Sequence, residues 1–338
     1  MNNNQSGRRR LPFVWKLVGG MLLLVLCFIA SMKLGAEAAT FRNVWLALTA
    51  GAQNDQTLIL RELRLPRELA AMLIGAALSV SGAVMQGITR NPLADPGLLG
   101  LTSGANMMLA LAFVFMPSPS VLGIMTACFV GAALGAALVI GLGSVHGGGL
   151  SPLRIVLAGA AASAFMYAIA EGVSIMFKIS KDVSMWTAGG FIGTNWVQLQ
   201  TIAPFIAVGL VAVPLLSNHL NILGLGEEVA AGLGQRLVWM KAILYVLVIM
   251  LTGASVALVG NLAFVGLMVP HMVRTFVGTD YRHIIPMSIV LGASFMLLAE
   301  TLGRTINAPY ETPVVAITAM LGLPFFLFVV HKGGRSFS

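Results

Sequence analysis

The stretch LRLPRELAAMLIGAALSVSGAVMQGITRNPLADPGLLG, from Leu63 to Gly100, contains the features that decide the fold. Its central part, 66–88, is apolar and long enough to cross a bilayer, which takes about 20 residues as a helix. Small side chains recur in it every four residues, at Gly75, Ser79, Ala83 and Gly87. Such a stripe lets helix backbones approach closely in lipid. The stretch therefore predicts a membrane helix that packs tightly against its neighbours.

The rest of the chain has the same character. Apolar residues make up 58% of the 338 residues and charged residues only 9%, whereas a soluble domain carries about a quarter charged residues. The sequence therefore predicts one all-α integral membrane domain over 1–338. Ten apolar segments are candidate transmembrane helices: 13–32, 66–88, 98–116, 121–143, 153–177, 199–217, 237–258, 262–278, 284–302 and 313–331.

Lysine and arginine residues predict the orientation, because they favour cytoplasmic loops. The bias is clearest at the first helix, which follows Arg8, Arg9 and Arg10. An even number of spans then places both termini in the cytoplasm. The motif at 36–38 resembles a signal-peptide cleavage site, but the apolar run before it is long for a signal peptide. We therefore expect a retained first helix and a multi-pass protein of the bacterial cytoplasmic membrane.

Three arginines break this orientation rule. Arg61, Arg64 and Arg67 cluster before the second span, on the predicted outer side. The cluster fits an acidic partner at this surface, and it equally fits interfacial anchoring by long side chains. Both interpretations stay open on these residues alone.

A glycine-rich segment, 221–234, interrupts the apolar runs on the predicted inner side. It reads NILGLGEEVAAGLG and is too polar to span a membrane. Glu227 and Glu228 follow Gly226, where the dipole of a short helix favours acidic residues. Gly232 and Gly234 can end this helix. The pattern predicts a short helix on the cytoplasmic rim that docks a partner.

Several stretches resemble the FecCD-type permease family, the membrane subunits of importers for ferric siderophores, haem and cobalamin. Besides 63–100, the matching stretches are RIVLAG (154–159), GEEVAAGLG (226–234), FVGLMVPHMVR (264–274) and GRTINAPYETPVVAITAMLGLPFFLFVV (303–330). They follow the family's order along nearly the whole chain. Before RIVLAG, family members often carry small hydroxyl residues as a cytoplasmic gate, whereas this chain has Ser151-Pro152-Leu153, so no gate residue is assigned.

The resemblance implies a type II ABC importer permease of about ten helices. It implies a second FecCD-type permease, identical or homologous, together with two cytoplasmic ATPase subunits, an extracytoplasmic binding protein and a ferric chelate as substrate. It also implies that Arg64, Arg67 and Arg304 contact acidic residues of the binding protein. As exposed pairs, each would contribute only about 1 kcal/mol or less. ATPase coupling is expected at Gly226, Glu227, Glu228, Ala230, Gly232, Leu233 and Gly234.

No chemistry is expected on the chain itself. None of its six lysines is followed by Ser or Thr, so the phosphate-binding loop G-x-x-x-x-G-K-[ST] is missing from the sequence. ATP and magnesium are therefore expected on the separate ATPase subunit, and the chain is expected to be neither an enzyme nor a cofactor-binding protein. Cys27 and Cys128 lie inside apolar runs, and no metal-ligand cluster is apparent, so iron is expected to arrive already chelated.

The alternative function is a proton-coupled secondary transporter that uses Glu171. Acidic residues inside membrane helices are functional candidates by default. Glu300 lies one turn before Arg304 and is expected to pair with it at the outer rim. Glu171 is placed in the outer third of its helix, away from the midplane where such transporters bind their ions. The sequence therefore favours the importer permease, and a membrane-embedded enzyme, for which no nucleophile or metal motif is found, ranks last.

Overall fold

A computed structural model describes residues 12–35, 39–49, 54–116, 118, 120–144, 152–188 and 190–333. Four features used above lie outside these ranges: the arginines at 8–10, the motif at 36–38, Ser151, and the residues after 333.

The described residues form helices connected by turns, and no strand occurs among them. In chain order the helices are α1 (Phe13–Lys33), α2 (Phe41–Thr49), α3 (Asp55–Ile59), α4 (Leu65–Thr89), α5 (Leu101–Phe115), α6 (Val121–Ser144), α7 (Pro152–Met176), α8 (Ser180–Ala188), α9 (Trp196–Leu215), α10 (Ser217–Gly224), α11 (Glu227–Gly232), α12 (Leu237–Val259), α13 (Val265–Val277), α14 (Tyr281–Thr305) and α15 (Val314–Gly333). A π-helical turn, Leu60–Arg64, joins α3 to α4, and a 3₁₀ turn, Pro96–Leu99, precedes α5. The all-α fold expected from the sequence is confirmed.

Each of the ten predicted apolar segments coincides for most of its length with one helix. In the described part of the chain, seven helices are long and apolar enough to cross a membrane by length and composition. Helices α5, α13 and α15 are apolar but shorter. Four short helices, α2, α3, α8 and α10, lie between these segments and are not signalled by hydropathy, which responds to long apolar runs.

Helix α4 forms the centre of the bundle, since most of its residues are buried. It packs along α14, and a Cβ atom on Gly75 would collide with the carbonyl oxygen of Gly292. Ser79 packs against the same glycine, and Gly82 lies against the backbone of Gly266 on α13. Small residues thus let the three helices approach at backbone contact, which maximises dispersion attraction where lipid gives no hydrophobic driving force.

The observed boundaries of two helices differ from the predicted ones for local reasons. Helix α14 begins at Tyr281, three residues early, because the Asp280 side chain caps it by accepting from the backbone N–H of Arg282 at 2.9 Å. Helix α13 begins at Val265 and not at 262, because Gly260 (φ 72°) and Phe264 (φ 66°) adopt left-handed conformations that interrupt the helix.

The two ends of the bundle carry different groups. The N-terminal end of α4 meets the C-terminal end of α14, and we call this the outer end, after the predicted orientation. The opposite end, where α4 finishes at Thr89 beside α10 and α11, is called the inner end.

Candidate functional sites

The outer end carries an ion-pair network that we call the outer charge network: Arg67, Glu68, Glu300, Arg304 and Glu311. Arg67 pairs with Glu300 and also donates to both oxygens of Glu311 at 2.8 Å. Arg304 pairs with Glu68 at 2.7 Å. Glu68 and Glu300 are fully buried, and the Arg304 side chain is only 7% exposed. Two arginines therefore pair with three carboxylates at the junction of α4 and α14.

Helix α1 completes this network. Arg304 donates to the carbonyl oxygen of Ser31 at 2.8 Å, and the Ser31 hydroxyl donates to Glu68. Arg64 donates to the carbonyl oxygen of Met32 at 2.7 Å. The network therefore joins α1, α4 and α14.

Two expectations about these residues are wrong. The sequence predicts an exposed basic rim, but Arg304 is buried, because α4 brings Glu68 against the end of α14. It also predicts that Glu300 pairs with Arg304 one turn along the helix. Glu300 instead pairs with Arg67 of α4, since helix packing places the two side chains together. Glu311, 31% exposed, is the most exposed member of this network, and its partner Arg67 is 13% exposed. The neighbouring Arg67 holds the pKa of Glu311 below its usual value.

A cavity of about 570 Å³ lies between the 91–97 loop, α5, α7 and the link before α13. We call it the central cavity. Its wall is mostly apolar, with a few polar groups. Ser103 donates to Ser163 at 3.1 Å, and Asn261 donates to the Tyr167 hydroxyl at 2.7 Å. A mostly apolar pocket with few placed polar groups is the usual form of a site for an organic molecule.

Asp95 also lines the central cavity and is held at one oxygen by the Gly97 backbone N–H at 2.8 Å. Burial raises the pKa of Asp95 to about 6, although the hydrogen bond from Gly97 by itself lowers this pKa. Sequence reasoning missed the cavity residues Ser163, Tyr167 and Asn261. The sequence offers one signal for these residues: the pair Gly260-Asn261 is typical of a turn and lies between two apolar runs, which could have drawn attention to Asn261.

Glu171 is exposed on α7 and lines a smaller cavity of about 270 Å³. Tyr167 and Asn261 line both cavities, so the two adjoin at this pair. In the described residues, no group of three or more His, Cys, Asp or Glu side chains could hold a metal ion.

At the inner end, the short helix expected after Gly226 is present as α11. Glu227 pairs with Lys241 of α12 at 2.8 Å, which lowers the pKa of Glu227. Leu225, Val229 and Leu233 are 64%, 49% and 62% exposed. These apolar side chains and the exposed Glu228 give the segment a surface that another protein could cover.

Ala230, one of the residues expected to couple to the ATPase, does not form part of this exposed surface. Its side chain is fully buried, because α11 turns this residue toward the bundle. Gly232, Leu233 and Gly234 are exposed as a docking surface requires, and Gly226 forms the N-cap with φ 114°.

Comparison with known proteins gives a consistent result. The sequence profile of the FecCD transport family matches residues 23–332. The chain is 42% identical over 320 residues to the iron(3+)-hydroxamate import system permease protein FhuB of Bacillus subtilis (strain 168), covering 94% of this chain and 83% of that protein. It is 35% identical over 341 residues to the hemin transport system permease protein HmuU of Yersinia pestis, covering 98% of each.

A solved structure is also similar. It is described as an inward-facing conformation of a putative metal-chelate type ABC transporter, and it matches with a TM-score of 0.81 and 29% sequence identity. The match covers 95% of this chain and 100% of that chain.

Proposed function

Because this chain belongs to the FecCD transport family, we propose that it is the permease subunit of an ATP-binding-cassette importer that carries a ferric siderophore, or a similar large ferric chelate, across the cytoplasmic membrane. The observation that carries this proposal is the alignment, over almost the full chain, with permeases whose names give ferric hydroxamate and hemin as cargo. The alternative of a proton-coupled transporter using Glu171 has no comparable support.

The central cavity suits such a cargo. Its apolar wall and few polar groups offer contacts to an organic chelator. Asp95 is the one acidic side chain among the lining residues, so the wall provides no cluster of ligands that would compete for the iron. Ser163 and Tyr167 lie on α7 next to exposed apolar side chains such as Leu157 and Phe165. We place the second permease, identical or homologous, against this face of α7, where it would close the cavity.

Two ATPase subunits are placed at the inner end, against 221–234, and both termini on that cytoplasmic side. The support is the apolar and acidic surface of α11, which projects from the bundle beside the end of α4. ATP and magnesium belong to those subunits in this proposal, and this chain supplies the pathway.

A reconstituted complex tests the function. We expect the permease, its ATPase subunit and the cognate binding protein in proteoliposomes to accumulate radiolabelled ferric siderophore only when ATP is present on the ATPase side. The same preparation should hydrolyse ATP faster when the loaded binding protein is added. Uptake driven by a pH gradient without ATP would contradict the proposal and favour the proton-coupled alternative.

The binding protein is placed at the outer end, on the surface above Arg64, Arg67 and Arg304. Since Arg67 and Arg304 are already paired within the chain, an incoming carboxylate has to compete with Glu311 for Arg67. Glu311 is the partner that is part-exposed and lies on the loop before α15. Docking would therefore exchange one carboxylate for another at Arg67.

Glu311→Gln should strengthen docking, because it leaves Arg67 with one fewer acidic partner. We expect binding of the cognate binding protein to tighten about two- to fivefold at low salt, the range of a part-exposed ion pair. The measurement is binding to the permease–ATPase complex in nanodiscs at two ionic strengths. Glu62→Gln is the matched control, since Glu62 is exposed nearby and its substitution removes the same charge. Equal affinities for the two variants would rule out the exchange.

A further inference from the structure

A polar cavity lies at the inner end, apart from the central cavity, and has no assigned role. It has a volume of about 630 Å³. We call it the inner basic pocket and define it by Gln86, Arg90, Arg274, Tyr281 and the pair Asp280–Arg282. It opens beside α10 and the residues that precede α11, since Gly224 and Leu225 line it as well.

Arg274 is held in this pocket by neutral groups. Its guanidinium donates to the side-chain oxygen of Gln86 and to the Tyr281 hydroxyl, the latter at 3.1 Å. The residue is half-buried. Its orientation is therefore fixed while its charge stays unneutralised, because the ion pairs found in the described part of the chain include neither Arg274 nor Arg90.

Arg90 supplies the second cation. It ends α4 in a left-handed conformation, with φ 52°, and its side chain is exposed at the pocket. A Cβ atom built on Gly226 would lie 3.5 Å from an Arg90 side-chain nitrogen. Arg90 thus borders the proposed ATPase-docking segment directly.

The third arginine does not add to this charge. Arg282 and Asp280 form an ion pair at 2.7 Å, which lowers the pKa of Asp280 and keeps it ionised. Asp280 also accepts from the Asn221 side chain at 2.7 Å, and Asn221 in turn accepts from the Tyr281 backbone N–H at 2.8 Å. The pocket wall is therefore tied to α10. Its positive charge comes from Arg274 and Arg90, and the nearby carboxylate of Glu227 offsets part of the charge of Arg90.

We propose that the inner basic pocket receives an acidic side chain of the ATPase subunit when that subunit docks on 221–234. This inference rests on the proposed function. A planar guanidinium matches the two oxygens of a carboxylate, and Arg274 is already oriented by its neutral partners. Arg282 balances Asp280, and Glu227 offsets part of the charge of Arg90, so the excess positive charge of the pocket is small. A singly charged carboxylate matches this excess, whereas a phosphate dianion would exceed it and would be repelled more strongly by the acidic side chains.

The acidic side chain of the ATPase subunit would also influence the wall of the central cavity, through Gln86. While its oxygen accepts from Arg274, its nitrogen lies 3.4 Å from the carbonyl oxygen of Gly266 and 3.3 Å from that of Leu267. Leu267 lines the central cavity. One side chain thus connects the inner basic pocket to the cavity wall, and Gln86 is a positioning residue in this proposal.

Charge reversal at Arg90 tests the pocket. We expect Arg90→Glu to weaken binding of the purified ATPase subunit to the permease in nanodiscs by about tenfold at low salt, as for a charge pair at an interface. Arg274→Lys, which keeps the charge but loses the planar geometry, should weaken it less. Arg61→Glu at the outer end is the matched control, because it makes the same charge change at an exposed site and should leave binding unchanged.

A charge reversal on the ATPase subunit identifies the acidic residue that enters the pocket. Acidic residues on the ATPase surface are replaced singly by arginine, and we expect one of them to restore binding to the Arg90→Glu permease. Binding is measured in nanodiscs of phosphatidylcholine alone and with phosphatidylglycerol added. An effect of Arg90→Glu seen only with the anionic lipid would overturn the proposal in favour of a lipid phosphate.

The remaining outcomes distinguish failure of the pocket inference from failure of the proposed function. If the ATPase binds wild-type permease and Arg90→Glu equally well, the pocket inference is wrong while the proposed function stands. If the ATPase does not bind the wild-type permease at all, the proposed function fails. A variant that unfolds is recognised by its elution profile in detergent, and Arg90→Gln, which only removes the charge, then replaces it in the comparison.

Discussion

Replacing Glu227 and Glu228 with arginine should abolish ferric chelate uptake while the permease still inserts in the membrane. Both residues lie in the first turn of α11, where cations oppose the helix dipole. Arginine at 227 would also face Lys241 in place of its present ion pair. The docking surface would then be repelled by any basic partner groove. Uptake is measured in whole cells, with permease abundance in the membrane determined by immunoblot.

Asp55→Arg with Glu62→Arg is the control for this double substitution. Both residues are exposed acids at the outer end, and Asp55 also lies in the first turn of a helix. We expect the Glu227/Glu228 variant to lose copurification of the ATPase subunit, and the control to leave it unchanged. A cysteine at the exposed Ala231, and not at the buried Ala230, should cross-link to the ATPase and react with a maleimide only from the cytoplasmic side. Normal uptake by the Glu227/Glu228 variant, or labelling from outside, would contradict the docking segment and its orientation.

Arg304→Met should strongly destabilise the folded chain. Glu68 is fully buried and pairs with Arg304, so this substitution leaves a buried carboxylate without its cation. Breaking a buried ion pair from one side costs about 3–5 kcal/mol, far more than the 1 kcal/mol or less expected for an exposed rim. The measurement is the midpoint of unfolding of the purified permease in mixed micelles with increasing dodecyl sulfate.

A double substitution distinguishes the effect of an unpaired buried charge from the effect of altered side-chain packing. Arg304→Met with Glu68→Met replaces both charges by apolar side chains, which is often neutral or stabilising for a buried pair. We expect it to recover most of the lost stability. Arg61→Met, at an exposed site outside the outer charge network, serves as the surface control. If the double variant is as unstable as the single one, the uncompensated charge is not the cause.

Substitutions of Arg304 are unsuitable for testing a direct contact with the binding protein. Because Arg304 holds α14 against α1 through the Ser31 carbonyl oxygen, its removal changes the fold of the outer end along with any contact to a partner. Loss of docking in an Arg304 variant would therefore carry no information on a direct contact. Glu311 offers the cleaner variant, since it is part-exposed and lies on a loop.

The sequence by itself determined the all-α membrane class, the ten apolar segments and the short helix after Gly226. These depend on local properties. Length and hydropathy decide whether a helix can cross a bilayer, and glycine next to acidic residues favours a helix start wherever the chain then folds. The small-residue stripe from Gly75 to Gly87 could be recognised in the same way, because it needs only the helical repeat.

Only the tertiary structure decided which charges meet and which residues face a partner. Arg67 and Glu311 are 244 positions apart in the chain, and Gln86 and Arg274 are 188 apart. The packing of α4 against α13 brings Gln86 to Arg274, and the loop after α14 brings Glu311 to Arg67. No sequence periodicity encodes either arrangement. Helix packing also turns Ala230 inward and brings Tyr167 and Asn261 together at the central cavity. Hydropathy specifies the helices, whereas close contacts between their backbones set the partners of buried charged groups such as Glu68 and Glu300.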